Sequence, residues 1–191
     1  MNVLVTYASR HGATRGIAGR IADRLRTAGH GVELAPVEEA PDPARFDACV
    51  IGSAVYVGRW CQEARTFVRA WAPRLRERPV WLFSSGPLGD ELLDEAGRDR
   101  RETAVSDEAT EMVAMVGARD HRVFFGALNP DDLSLAARAF RLLPPGRRLL
   151  VEGDFRDWHE IEAWTEAIAA VLAKMQVAAP VAAGTPRTEG A

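Results

Sequence analysis

Residues 3–27 run without a break from an apolar strand through a turn into an amphipathic helix, and no other stretch limits the possible folds as much. Val3-Leu4-Val5 is a continuous apolar run, the pattern of a strand buried on both faces. Ser9-Arg10-His11-Gly12-Ala13-Thr14 follows, carrying hydroxyls and a glycine. Ile17, Ile21 and Leu25 then recur every four residues, with Ala18 and Ala22 beside them, so one helical face is apolar. A strand leading through a short turn into a helix aims unpaired backbone N–H groups, at the positive end of the helix dipole, at whatever lies above the strand end. The ligand expected there is an anion.

The identity of that anion is narrowed by what is missing. Gly12, Gly16 and Gly19 have the wrong spacing for a dinucleotide G-x-G-x-x-G, and no G-x-x-x-x-G-K-[ST] is present. What remains is Ser9-x-x-Gly12-x-Thr14 straight after a first strand. Taken alone, this pattern also fits an ordinary strand-to-helix turn.

Further apolar runs alternate with helical periodicity along the chain. Strands are predicted at 32–35, 48–52, 79–83 and 122–128, and helices at 63–77, from about Thr103 to Val116, and from Asp157 onward. Gly117 is expected to cap the helix before it, and Asp157 with Glu160 makes a capping-box pattern. Five strands alternating with helices over short links imply an α/β fold: a doubly wound, five-stranded parallel sheet with helices on both faces. Ligands of such sheets sit beyond the carboxyl ends of the strands.

The three unusual turns, 9–14, 53–60 and 84–89, each follow a predicted strand. With their strand placement they resemble the flavodoxin-like family, whose strand order is 2-1-3-4-5. In that order the three turns converge on one crevice. The resemblance implies FMN as cofactor. Ser9, Arg10, His11, Gly12, Ala13 and Thr14 would hold its phosphate, Tyr56, Val57, Gly58, Arg59 and Trp60 would line one side of the ring, and Ser85, Gly86, Pro87, Leu88 and Gly89 the other. Apolar and aromatic walls suit a flat tricycle. Each turn also has a plainer reading, with Tyr56 and Trp60 capping the sheet and Ser85-Gly86-Pro87 a simple turn.

Residues 129–156 stand between the fifth strand and the last helix, where an electron-carrying flavodoxin has little ornament. A helix is expected from Asp131-Asp132 through Leu133, Leu135, Phe140 and Leu143, ended by Pro144-Pro145-Gly146 and surrounded by Arg138, Arg141, Arg147 and Arg148. Basic plus apolar character fits a membrane-surface or quinone-facing segment. A lid packed on the domain fits equally, because Leu133, Leu135, Phe140, Leu142 and Leu143 are too many apolar groups for a free loop. The insertion, the first turn and Gly153-Asp154-Phe155-Arg156-Asp157-Trp158 resemble the branch containing menaquinone-dependent protoporphyrinogen dehydrogenases. That resemblance implies an oxidoreductase passing electrons from a porphyrinogen through FMN to a quinone, with peripheral membrane contact through 131–150. An electron carrier without its own substrate is the alternative. A nicotinamide-fed reductase would need a second nucleotide fingerprint, and none is visible. No acid/base pair stands out as catalytic.

Composition excludes other classes. The net charge of −3 leaves no electrostatic footprint for nucleic acid. Cys49 and Cys61 make no C-x-x-C, and His11, His30, His121 and His159 lack ligand spacing, so free thiols and no metal site are expected. Cys61 reads as a helix-start residue. The acidic stretch 90–111 reads as a solvated linker and helix face, or as a docking face for a basic redox partner. No leader or membrane span is expected, which places the chain in the cytoplasm or at the inner face of its membrane. Residues 1–175 are expected to form the FMN-binding domain and 176–191 a disordered tail.

Overall fold

The computed structural model describes residues 1–178; the expected tail, beyond its first three residues, lies outside the described residues. Five parallel strands form the sheet: β1 (Asn2–Ala8), β2 (Gly31–Pro36), β3 (Ala48–Tyr56), β5 (Val80–Ser85) and β6 (Asp120–Phe124). Their order is β2-β1-β3-β5-β6, with the two-residue β4 (Arg59–Trp60) antiparallel on β3. Without β4 this is the expected 2-1-3-4-5.

Alternation along the strands supplies two cores. Leu4, Cys49, Ile51 and Leu82 face α2 (Gln62–Leu75) and α4 (Asp107–Val116), meeting Phe67, Val68, Leu75 and Met112. Val3, Val5, Val50, Trp81 and Phe83 face α1 (Ala13–Thr27) and α7 (Trp158–Ala178), meeting Ile17, Ile21, Ile161 and Trp164. Gly52 belongs to this packing, since a Cβ there would overlap the Phe83 ring.

Several boundaries differ from expectation. The segment read as a loop from Ser53 continues β3 to Tyr56, and the fourth strand runs on through Ser85. Small hydroxyl residues suit these positions because their polar atoms are used locally. Ser53 Oγ donates to Ala54 O and accepts from Cys61 N–H. The fifth strand begins at Asp120 and stops at Phe124. Ala127–Leu128 (β7) leaves the sheet and pairs antiparallel with β8 (Gly153–Asp154). A short α3 (Arg100–Thr103) interrupts the acidic stretch. Ser106 caps α4 through Ala109 N–H, and Gly117 ends it at φ 64°. Asp157 Oδ1 accepts from Glu160 N–H as expected, but the Glu160 carboxylate reaches Arg101 instead of closing the capping box. The last helix runs on to Ala178, past the expected domain end at 175.

The insertion corrects two expectations. One helix was predicted from Asp131. Instead a 3₁₀ turn at Pro130–Asp132 is followed by α5 (Leu135–Arg141), capped by Ser134, and α6 (Pro144–Leu149). Pro144 starts that helix rather than breaking a longer one, as proline does at a first turn. Nor do the named apolar side chains pack away. Leu133 is buried, but Leu135, Phe140, Leu142 and Leu143 are exposed, Leu135 at 83%.

Candidate FMN site

The three turns leave the same end of adjacent strands. Ala8 pairs with Ser53 and Ala54 with Ser85, so the chain departs from β1, β3 and β5 side by side. The first turn touches the second: the Arg10 guanidinium lies 5.1 Å from the Tyr56 ring centre, and the His11 ring meets Tyr56 edge-on at 5.9 Å.

Gly12 caps α1 at φ 80°, a conformation that suits glycine, and its carbonyl accepts from Gly16 N–H at 2.9 Å. No side chain caps this helix, and its first turn has no acidic residue to satisfy the free donors. Thr14 is fully buried, yet among the described residues its Oγ1 has no partner, and His11 Nδ1 is likewise buried without one. Orphaned buried polar atoms are costly. A phosphate accepting from Thr14, the ring N–H of His11 and the helix N-terminus removes that cost, so the residues present fit the FMN phosphate. Ser9 is half-buried, Ala13 half-buried, and Arg10 exposed.

The second turn is a tight hairpin. Tyr56 pairs with Arg59 and Val55 with Trp60, leaving Val57 and Gly58 as its turn residues at φ 51° and 71°. Two positive φ values make the turn that matches strand twist. A β-branched residue is strained there, and Val57 is fully exposed, so packing does not compensate. Tyr56 is half-buried, and its phenol is pushed up to about 12, chiefly by burial, with Cys61 adding and Arg10 opposing.

Trp60 does not stand in the crevice as a ring wall. It is 2% exposed, and its Nε1 donates to Ser84 Oγ at 2.8 Å; Ser84 Oγ in turn meets His121 Nε2 at 2.9 Å. Its backbone N–H donates to Glu108, which also binds Arg65 at 2.9 Å and the more exposed Arg59 at 3.5 Å. Trp60 thus anchors the hairpin from beneath. Burial lowers the His121 pKa from 6.5, with Asp120 opposing. Neutral His121 is favoured by folding, so its contribution to stability is complete above 6.5 and is lost as pH falls below that value. Denaturation measured between about pH 8 and 5 should show stability declining with acid, and His121→Gln should flatten the slope. His30 shifts in the same direction, mainly through burial, so some slope persists. An unaltered slope in the variant contradicts this assignment.

The third turn is held from the fifth strand. Gly86 N–H donates to Phe124 O and Gly126 N–H to Pro87 O, while Arg100 donates to Leu88 O. Ser85 and Gly89 are buried; Gly86, Pro87 and Leu88 are half-buried. A cavity of 890 Å³ lies between this turn, the hairpin and residues 103–108, lined by Val55, Gly58, Gly86 and Pro87 together with Arg59 and Arg100. It adjoins the second and third turns and not the first. Cys61 precedes α2; burial raises the pKa of its thiol and pushes that of Cys49 up to about 12. Both thiols are buried, which disfavours the reactive thiolate. Among the described residues no cluster of ligating side chains could hold a metal.

One support of the hairpin escaped the sequence reading, the Trp60–Ser84–His121 chain, whose residues lie far apart in sequence and show no local pattern.

Comparison with known proteins gives the family and the fold. Residues 4–140 match the family model described as a flavodoxin domain. An 86-residue stretch, 44% of this chain, is 30% identical to the protein named protoporphyrinogen IX dehydrogenase [quinone] of Escherichia coli K12. The match spans 48% of that relative's length, about half of it. A flavodoxin from the domain Archaea superposes with a TM-score of 0.57 at 12% identity, over 91% of this chain and 99% of its own. Rubredoxin oxygen:oxidoreductase of Desulfovibrio gigas gives 0.59 at 14% identity, over 93% of this chain but 37% of its own. At such identities the structures speak for the fold. The chain belongs to the flavodoxin family and is an FMN-binding protein of oxidoreductase or electron-transfer type.

Proposed function

We propose that this protein oxidises a porphyrinogen and delivers the electrons to a quinone, as the name of its Escherichia coli relative describes. FMN, when bound, supplies the redox chemistry. The chain's own residues bind and orient it. Ser9 to Thr14 grip the phosphate. Tyr56, Val57, Gly58 and Arg59 flank one side of the ring and Ser85 to Gly89 the other, with Trp60 holding the hairpin from below. Residues 1–175 act as one FMN-binding unit.

The observation that carries the substrate reading is the exposed apolar surface of the insertion. Leu135, Phe140, Leu142 and Leu143 face solvent, with Arg147 exposed among them. Such a surface suits an apolar quinone or the membrane that holds one. Arg141 is paired with Glu152, while Arg138 is exposed and donates to the carbonyls of Leu133 and Asp131, so its charge stays unneutralised. No described helix is long and apolar enough to cross a membrane. The proposal places the protein in the cytoplasm, touching the membrane from its inner side through 131–150.

Pairing within the acidic stretch weighs against the carrier alternative. Asp94 binds Arg98, Asp99 binds Arg101, Glu108 binds Arg65 and Glu111 lies 3.7 Å from Arg69, so four of its nine carboxylates already have a basic partner. The test is anaerobic turnover with protoporphyrinogen and a menaquinone analogue. Quinone-dependent formation of fluorescent protoporphyrin supports the proposal. Absence of turnover, with ready exchange of single electrons with a redox protein, favours the carrier.

A further inference from the structure

We propose that Arg156, delivered by the return strand of the insertion, is a positioning residue for the FMN phosphate. The inference rests on the phosphate lying at residues 9–14. Arg156 follows β8 and reaches the first turn of α1, with Nη1 3.5 Å from Ala13 O. Its guanidinium is held on several sides. Asp154 takes its Nε at 2.7 Å and Nη2 at 2.5 Å, and the Trp158 ring lies beneath its Cζ at 4.4 Å. Arg20 meets the same ring at 5.0 Å, and Glu162 fixes Arg20 at 2.8 Å. The Arg156 side chain is only 16% exposed. A fork held by a carboxylate and an aromatic face has little freedom to lose, so its charge stays where it is placed.

Gly16 gives independent evidence that this placement matters to α1. Glycine inside a helix is unfavourable. Here a Cβ would overlap Arg156 Nη1, with the Trp158 ring also in contact range. The helix therefore carries glycine where the guanidinium docks. The guanidinium meets α1 at the carbonyl of Ala13, the residue next to Thr14, whose Oγ1 has no partner among the described residues, and at Gly16, two residues further on. The first turn lacks acidic residues, so the guanidinium adds to the field of the helix N-terminus; Asp154, bonded to Nε and Nη2, offsets part of its charge and leaves Nη1 toward α1. Because β8 pairs with β7, the same contact ties the insertion to the phosphate loop.

The test compares FMN with riboflavin, which lacks the phosphate, on the full-length apoprotein by fluorescence quenching. Arg156→Gln should raise the Kd for FMN about tenfold and leave riboflavin within about twofold, as expected for loss of one charge acting on a dianion. The dependence of FMN affinity on salt should weaken in the same variant. Arg156→Lys should recover part of the loss. Gly16→Ala should displace the guanidinium while keeping the charge and improving helix propensity. It should weaken FMN about threefold or more with no loss of thermal stability. Equal losses for FMN and riboflavin, or unchanged FMN affinity in stable Arg156→Gln and Gly16→Ala proteins, would overturn the proposal. Variants at Thr14 report on phosphate placement separately, so a failure of that placement is recognised as such.

Discussion

Ser9→Ala combined with Thr14→Val should weaken FMN binding by two to four orders of magnitude and leave riboflavin nearly untouched. Each hydroxyl bonded to a charged phosphate contributes about 1.5–3 kcal/mol, so the pair is worth about 3–6 kcal/mol. Riboflavin carries no phosphate and loses none of this. Valine is chosen at Thr14 because it keeps the buried shape while deleting an oxygen that has no partner among the described residues. The apoprotein should therefore be as stable as the parent, or more stable by about 1 kcal/mol, while the cofactor is lost. Stability and affinity moving in opposite directions would set this site apart from ordinary core damage. Isothermal titration with both flavins, beside urea denaturation of the apoprotein, measures it. Equal losses for both flavins would mean that the turn contacts something other than phosphate.

Joint replacement of Leu135, Phe140, Leu142 and Leu143 by serine should abolish quinone-linked turnover while FMN stays bound. These side chains are exposed, so their removal costs the fold little. Binding to a membrane or quinone would bury them. At about 25 cal/mol per Å² of apolar surface, several leucine and phenylalanine side chains amount to several kcal/mol of lost affinity. Sedimentation with vesicles of anionic lipid should fall by at least about tenfold, since 1.4 kcal/mol already gives that factor. Exchanging 131–150 for a short Gly/Ser link should have the same two effects, but it also deletes the buried Leu133 and Gly146 and so is the harsher variant. Turnover as fast as the parent's in both proteins would remove the insertion from the substrate and acceptor path.

The sheet was legible because its apolar runs are continuous. Val3–Val5, Ala48–Gly52 and Val80–Phe83 are buried on both faces, and such strands show themselves without reference to partners. Their ends were less legible. Ser53, Ala54, Ser84 and Ser85 look like loop residues in composition. In the fold they are strand residues, and the hydroxyls of Ser53 and Ser84 bond to Cys61, Trp60 and His121, partners that only the tertiary structure supplies. Trp60 was misplaced for the same reason: an aromatic residue beside a ring site looks like a wall until its indole is found bonded to Ser84. The first turn was readable because a helix N-terminus without a carboxylate, next to hydroxyls and Gly12, is a local signal. Arg156 was not, since its partner Ala13 lies 143 residues away. The insertion misled in a further way. Counting apolar residues implied packing, but of the five only Leu133 is buried; the other four remain on the surface, which is itself the strongest pointer to what they contact.

Stoichiometric flavin content tests the central claim most directly. The protein purified from cells supplied with riboflavin should be yellow and should release one FMN per chain on acid precipitation, identified by chromatography against FAD and riboflavin. A colourless protein that also fails to bind added FMN, or one that releases only FAD, would contradict the account.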